Sequence, residues 1–427
     1  MSDSILDVPS SNCGLARPNC GAPRLAGLEW LRAALTLGVL GFHSAVAYTL
    51  IPLPGLNWSA HEVTGSVSVD AVCWALDGFI MPAFFLLAGF CSARTFARIG
   101  AKNFLRHRNR RLLPALALGG FVILPITGYT WFVCWIGQGL MPLQTLWRWG
   151  IPDELERNFY GLGHLWFVAY LWIFCVGVWV VSQAARQIPD RTLGRLLRLQ
   201  DRLMQSFWMP FCFALPAVIA LAIEPQIVIG FRQSFLPKFA NLAYYAPCFA
   251  AGFWLRRCEK HHEPLTRWCE WRAVMAVIAF VLVLPRLHTH LSEGSSGADR
   301  WMTAGLFAVY GWLSATSLFG LCVKYFRGPV PRPINAVAEA SLWIYLLHVP
   351  VVGLLQSNLL SAGWPHVVKF GVVVLGGLGF SLATYRLFVR ETWLGRFLEP
   401  VTQPAPIGVL PPSTVLQSEP VPTLTSA

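Results

Sequence analysis

Long apolar stretches alternate with short polar connections, most of them basic, over nearly the whole chain. Ten such stretches stand out, at residues 26–50, 71–93, 112–136, 164–182, 207–223, 237–255, 273–286, 301–323, 338–360 and 367–388. Several approach the ~20 residues that a helix needs to cross a bilayer; the segment at 273–286 is the shortest. The pattern predicts an all-α polytopic membrane protein of about ten transmembrane helices in one domain, residues 25–398. Residues 1–24 are polar with Pro and Gly, and 399–427 are rich in Pro, Ser and Thr without a hydrophobic period, so both ends are predicted to be disordered tails. The outer connections are short apart from 51–70 and 137–163, which leaves no room for a separate soluble domain. The segment 183–206 has the pattern of a basic amphipathic helix lying on the membrane surface.

Composition agrees: 55% of residues are hydrophobic and only 13% charged, far more apolar than a soluble domain. The net charge of +12 would suggest a nucleic-acid partner if it were spread over a soluble surface. It is not spread. Alternate connections (94–111, 183–206, 256–272 and 324–337) hold 20 Lys and Arg residues, whereas the opposite set holds 4: Arg148, Arg157, Arg232 and Arg300. The positive-inside rule then puts the basic connections and both termini in the cytoplasm and excludes nucleic acid as the reason for the charge. The 11 cysteines are scattered without CxxC or zinc-like spacing, as expected of buried free thiols. Ala45-Val46-Ala47 resembles a signal-peptidase site. The polar lead before the apolar run is long for a signal peptide, so the first span is read as uncleaved.

Two ionisable residues lie inside that first span, Arg32 and His43. Eleven residues carry an α-helix to within roughly 20° of its starting face and about 16 Å along its axis, so both side chains point the same way. Intramembrane charges usually face a cavity or pathway.

Met81-Pro82-Ala83-Phe84-Phe85-Leu86-Leu87-Ala88-Gly89-Phe90 is followed by Arg108-Asn109-Arg110-Arg111-Leu112-Leu113-Pro114. Three more segments recur in order: Gly163-His164-Leu165-Trp166-Phe167, the stretch NLAYYAPCFAAGFWLRR, and Ser341-Leu342-Trp343-Ile344-Tyr345-Leu346-Leu347-His348. With the Arg32/His43 pair, these resemble the acyltransferase 3 family of integral membrane O-acyltransferases, over about residues 26–390. Within that family the chain most resembles the branch of glucan biosynthesis protein C, which succinylates periplasmic glucans. The resemblance implies a bacterial inner-membrane enzyme with no bound cofactor, which takes acyl-CoA (succinyl-CoA or acetyl-CoA) as co-substrate and a periplasmic or cell-surface glycan as acceptor. It implies that His43 is the general base or acyl-transfer residue. Arg32, Arg108 and Arg111 would meet the donor's phosphates, because Arg pairs phosphate oxygens bidentately. His348 and Glu339 are candidates for the donor tunnel, and His164 and Trp166 for the acceptor side.

Asp77 enters from depth alone. It lies about as far below the outer surface as His43, which permits a His–Asp pair that would fix the imidazole tautomer. Trp58 and Trp135 fit interface anchors better than sugar-stacking residues. No Gly-rich phosphate loop, Ser nucleophile elbow or metal-ligand cluster is present. The alternatives are a carboxylate or sugar transporter, with Arg32, His43 and Asp77 as a relay, and an O-acetyltransferase of another envelope polysaccharide or an acyltransferase acting on a lipid or small molecule.

Overall fold

Every predicted apolar stretch is helical in the computed structural model, which describes residues 26–62, 64–148, 151–156, 158–227, 231, 233–255, 263–294 and 296–398. The helices are α1 (Ala26–Val46), α2 (Val67–Leu118), α3 (Leu124–Gly137), α4 (Trp166–Ala185), α5 (Asp190–Gln205) and α6 (Met209–Ile223). They continue with α7 (Phe239–Leu255), α8 (Cys269–Glu293), α9 (Gly297–Tyr325), α10 (Arg332–Glu339), α11 (Ser341–Leu359) and α12 (His366–Thr384), with a few single turns between. Among the described residues there is no strand, only one isolated bridge, Thr49–Ser66. Both predicted tails, and Arg157, Arg232, Arg256, Arg257 and Lys260, lie outside the described residues.

Among the described residues, six helical stretches are long and apolar enough to cross a bilayer, counting the run Val67–Gly137 as one. That run contains two of the predicted segments. The basic connection at 94–111, expected to be a loop, is instead helical, broken only where Gly100 turns into the left-handed region (φ 72°). Its Arg and Lys residues are good helix formers, and glycine alone enters that region without strain. A further correction concerns 273–286, whose helix runs the full 25 residues of α8; polar ends hid its length from the hydropathy pattern. The first span is shorter than expected. It ends at Val46, which puts His43 in the last turn of α1.

α2 is the central post, packed against α1, α4, α7 and α9, while α11 packs against α1, α3 and α12. The α2–α7 seam is a backbone contact. A Cβ at Gly252 would stand 1.9 Å from the Leu86 carbonyl oxygen, and one at Gly89 would stand 2.0 Å from that of Phe249. Small residues permit such close approach in bilayers, where apolar burial alone gives helices no reason to associate. Beside the seam, Phe85 packs on Phe167, Phe174 and Tyr245 with ring centroids 4.8, 5.3 and 5.0 Å apart. The outside of the bundle exposes large apolar side chains such as Phe121, Phe239, Val367 and Leu375, as a lipid-facing surface requires.

Candidate active site

A cavity of about 410 Å³ opens beneath the loops at one end of the bundle, the end that the charge bias assigns to the outside. His43, Asp77, His164, Trp166 and His348 all line it. These five of the nine sequence-predicted site residues come from five elements: α1, α2, the turn leading into α4, α4 itself, and α11.

The wiring of the histidines follows from their acceptors. His348 Nδ1 lies 2.8 Å from the Tyr345 carbonyl oxygen and 3.0 Å from that of Ile344. A carbonyl can only accept, so this nitrogen carries the proton and Nε2 is left as an acceptor. His348 Nε2 sits 3.2 Å from His43 Nδ1, which in turn lies 3.0 Å from the Val39 carbonyl oxygen. His43 therefore donates through Nδ1 to both. Its Nε2 bears the lone pair and has no protein partner among the described residues. An imidazole held in this tautomer on a cavity wall is arranged to take a proton.

Asp77 stands on the same wall, but no hydrogen bond or ion pair joins it to His43. The position at His43 Nδ1 that depth had suggested for a carboxylate is taken by His348. Equal depth fixes height along the membrane normal and not the direction in which a side chain points from its helix. Asp77 has no hydrogen-bond partner among the described residues.

His164 donates through Nε2 to the Leu346 carbonyl oxygen at 3.0 Å. That oxygen is available because Pro350, four residues on in α11, has no N–H to give it. The Tyr345 hydroxyl donates to the His164 carbonyl oxygen, so α11 grips the start of α4 through both backbone and side chain. The imidazoles of His43 and His348 lie 4.8 Å apart, and those of His164 and His348 5.7 Å apart. Among the described residues no three His, Cys, Asp or Glu side chains converge as a metal-binding group.

Sequence reasoning missed Gln356. It is fully buried on α11, and its amide nitrogen donates to the carbonyls of His43 (3.1 Å) and Ser44 (2.8 Å). These are among the last carbonyls of α1, which have no donor within the helix. The Gln356 carbonyl accepts the indole N–H of Trp58 at 2.6 Å, and the Trp58 ring stacks on His43 with centroids 5.3 Å apart. Trp131 and Trp135 of α3 donate to the carbonyls of Asn57 and Trp58 at 2.8 and 3.1 Å. Trp58 is thus part of the cavity wall, and Trp135, only 1% exposed, is packed behind it; neither is the interface anchor expected of it. Neutral residues in a span give little warning of such roles, although the Pro350–Leu346 spacing was readable.

The loop that carries Trp58 is pinned at both ends. Buried Asp70 accepts the Leu50 N–H at 2.7 Å, and buried Lys369 pairs with Glu62 at 2.9 Å. At the rim, Asn158 adopts a left-handed conformation and donates to the carbonyls of Gly55 and Phe231. The charged side chains on the wall, among the described residues, are Asp77, Glu224 and Lys238, the last two 3.7 Å apart.

The remaining predicted residues are not brought to the cavity. Arg32 is paired with Glu29 at 3.2 Å, a turn below. Arg108 is buried, donates to Thr95 Oγ1 at 3.3 Å and lies over the Phe104 ring. Arg111 and Glu339 are exposed, the latter accepting from Asn335 at 2.7 Å. All four occupy the basic end of the bundle.

Residues 25–386 match the family Acyl_transf_3, described as an acyltransferase domain. The chain belongs to the acyltransferase 3 family. The match covers the whole helical bundle apart from its last turns, so this acyltransferase 3 protein is a multi-pass membrane protein and an enzyme of acyl transfer. No curated protein and no solved structure matches the chain.

Proposed function

We propose that this acyltransferase moves an acyl group, with succinyl favoured, from cytoplasmic acyl-CoA to a hydroxyl of a periplasmic glucan or related envelope glycan. The observation that carries the reading is the bare Nε2 of His43 on the cavity wall, with Nδ1 committed to His348 and Val39. In this reading the protein crosses the bacterial inner membrane ten times with both termini in the cytoplasm. The acceptor enters from the outer end, where amides, aromatic rings and a neutralised ion pair suit an uncharged sugar. Asp77 accepts hydrogen bonds from its hydroxyls, and His43 Nε2 removes the proton as the oxygen attacks the thioester carbonyl. The proton held on His43 Nε2 then passes to the leaving sulfur, so coenzyme A departs as the thiol and the imidazole is neutral again. A wall without surplus cations does not hold a polyphosphate, so the donor's nucleotide is assigned to the basic end, near Arg32, Arg108 and Arg111. That end lies about 16 Å from His43 along α1, a span that the donor's extended arm must bridge.

The test uses purified protein in lipid nanodiscs with succinyl-CoA or acetyl-CoA and a β-glucan. CoA release that needs His43 and leaves an ester on the glucan supports the reading, and the donor that works names the acyl group. No CoA release from either donor, with Arg32-dependent solute uptake in proteoliposomes, would replace it with the transporter.

A further inference from the structure

α5 is the one predicted surface element, and its three-sided character goes beyond a plain anchor. At 100° per residue, Arg191, Arg195, Arg198 and Arg202 fall within an arc of about 60°, and all four are exposed. Leu193, Leu197 and Met204 fall on the opposite side, roughly 180–230° away; Met204 is buried in the main core. Between these sectors, on one flank only, lie Leu196, Leu199 and Leu203 together with exposed Thr192; Leu196 is 52% and Leu199 65% exposed. The other flank carries Gly194, Asp201 and Gln205. α5 meets α6 at 100°, and the elbow between them exposes Trp208.

We infer that α5 is a binding surface for anionic phospholipid, with Leu196 and Leu199 in the acyl region and the four arginines on the headgroup phosphates. The packed sector fixes the helix's rotation about its axis. The leucine flank can then be satisfied only by an apolar phase, and the polar flank only by water. An arginine stripe bordering a leucine stripe matches a headgroup layer above acyl chains, and Trp208 sits where interfacial aromatic residues collect. A soluble phosphate such as the CoA nucleotide would satisfy the arginines and leave the leucines in water. Each arginine near an anionic surface strengthens partition by about fivefold.

The experiment compares the full chain in nanodiscs of phosphatidylcholine alone and of phosphatidylcholine with phosphatidylglycerol. It measures amide hydrogen exchange over 190–205 and the phospholipid that co-purifies after detergent exchange. Slower exchange and retained phosphatidylglycerol, both reversed by high salt and by R191Q/R195Q/R198Q/R202Q, are expected. The four-lysine variant should keep both. Equal exchange of the wild type in the two lipids overturns the inference, and so does protection by CoA or inorganic phosphate in phosphatidylcholine alone. The wild-type comparison decides even if the glutamine variant fails to fold.

Discussion

Replacing His348 by alanine separates a base from the group that holds it. His43 Nδ1 has two acceptors, the Val39 carbonyl at 3.0 Å and His348 Nε2 at 3.2 Å. H348A removes the second and leaves the first, so the productive tautomer survives with a looser ring. The loss is that of one neutral hydrogen bond, about 0.5–1.5 kcal/mol, which converts to roughly a two- to tenfold fall in kcat/KM. H43A removes the base itself and is expected to lower turnover about 10²–10⁴-fold. Because His348 is buried, H348A also leaves a void, so thermal unfolding in detergent is measured beside acyl-CoA turnover in nanodiscs to separate misfolding from lost positioning. A folded H348A as inactive as H43A would refute the assignment, making His348 an equal partner in proton transfer.

Other outcomes follow from the same wiring. D77N is expected to express and fold normally while turnover at a fixed, subsaturating acceptor concentration drops sharply, mainly through KM for the acceptor; normal turnover would remove Asp77 from the site. Q356L leaves two α1 carbonyls and the Trp58 indole without their partner, and is expected to lower stability by about 1–3 kcal/mol and slow turnover, read from melting and kinetics together. P350A gives α11 an N–H that competes with His164 for the Leu346 carbonyl, so turnover should fall by about two- to tenfold without loss of stability; unchanged kinetics would show that this bond does not matter. G252V forces a side chain into the Leu86 carbonyl and should cost about 3 kcal/mol or more, seen as aggregation or a lower Tm.

How much the sequence disclosed depends on what kind of interaction each residue makes. His43 was legible because an ionisable group in an apolar run needs a reason, and the segments around His164 and His348 carried the family pattern. The His–Asp pair was not legible. Depth along a span says nothing about which way a side chain points, and His348 reaches His43 from a helix more than three hundred residues away. Gln356 and Trp58 act through neutral hydrogen bonds that leave no mark on hydropathy or charge. Lys369 was overlooked inside a span because its partner, Glu62, comes from a loop. Helix existence was readable from hydropathy, whereas helix ends depended on local chemistry: Gly100 turned a loop into a corner, and polar ends concealed the reach of α8.

The α2–α7 seam bears on how such an enzyme can diverge. At Gly89 and Gly252 the backbones touch so closely that a single methyl group is excluded, which freezes those positions against drift. The cavity wall begins within two or three turns of that seam, at Asp77, Ile80 and Met81, and its rim is built of loop residues such as Tyr160, Ser234 and Phe235, which lie away from the seam. Selection for a new acceptor therefore has a rigid hinge-post to work against and a rim to recut. Substrate range can change by a few loop substitutions while the bundle that aligns the histidines stays as it is.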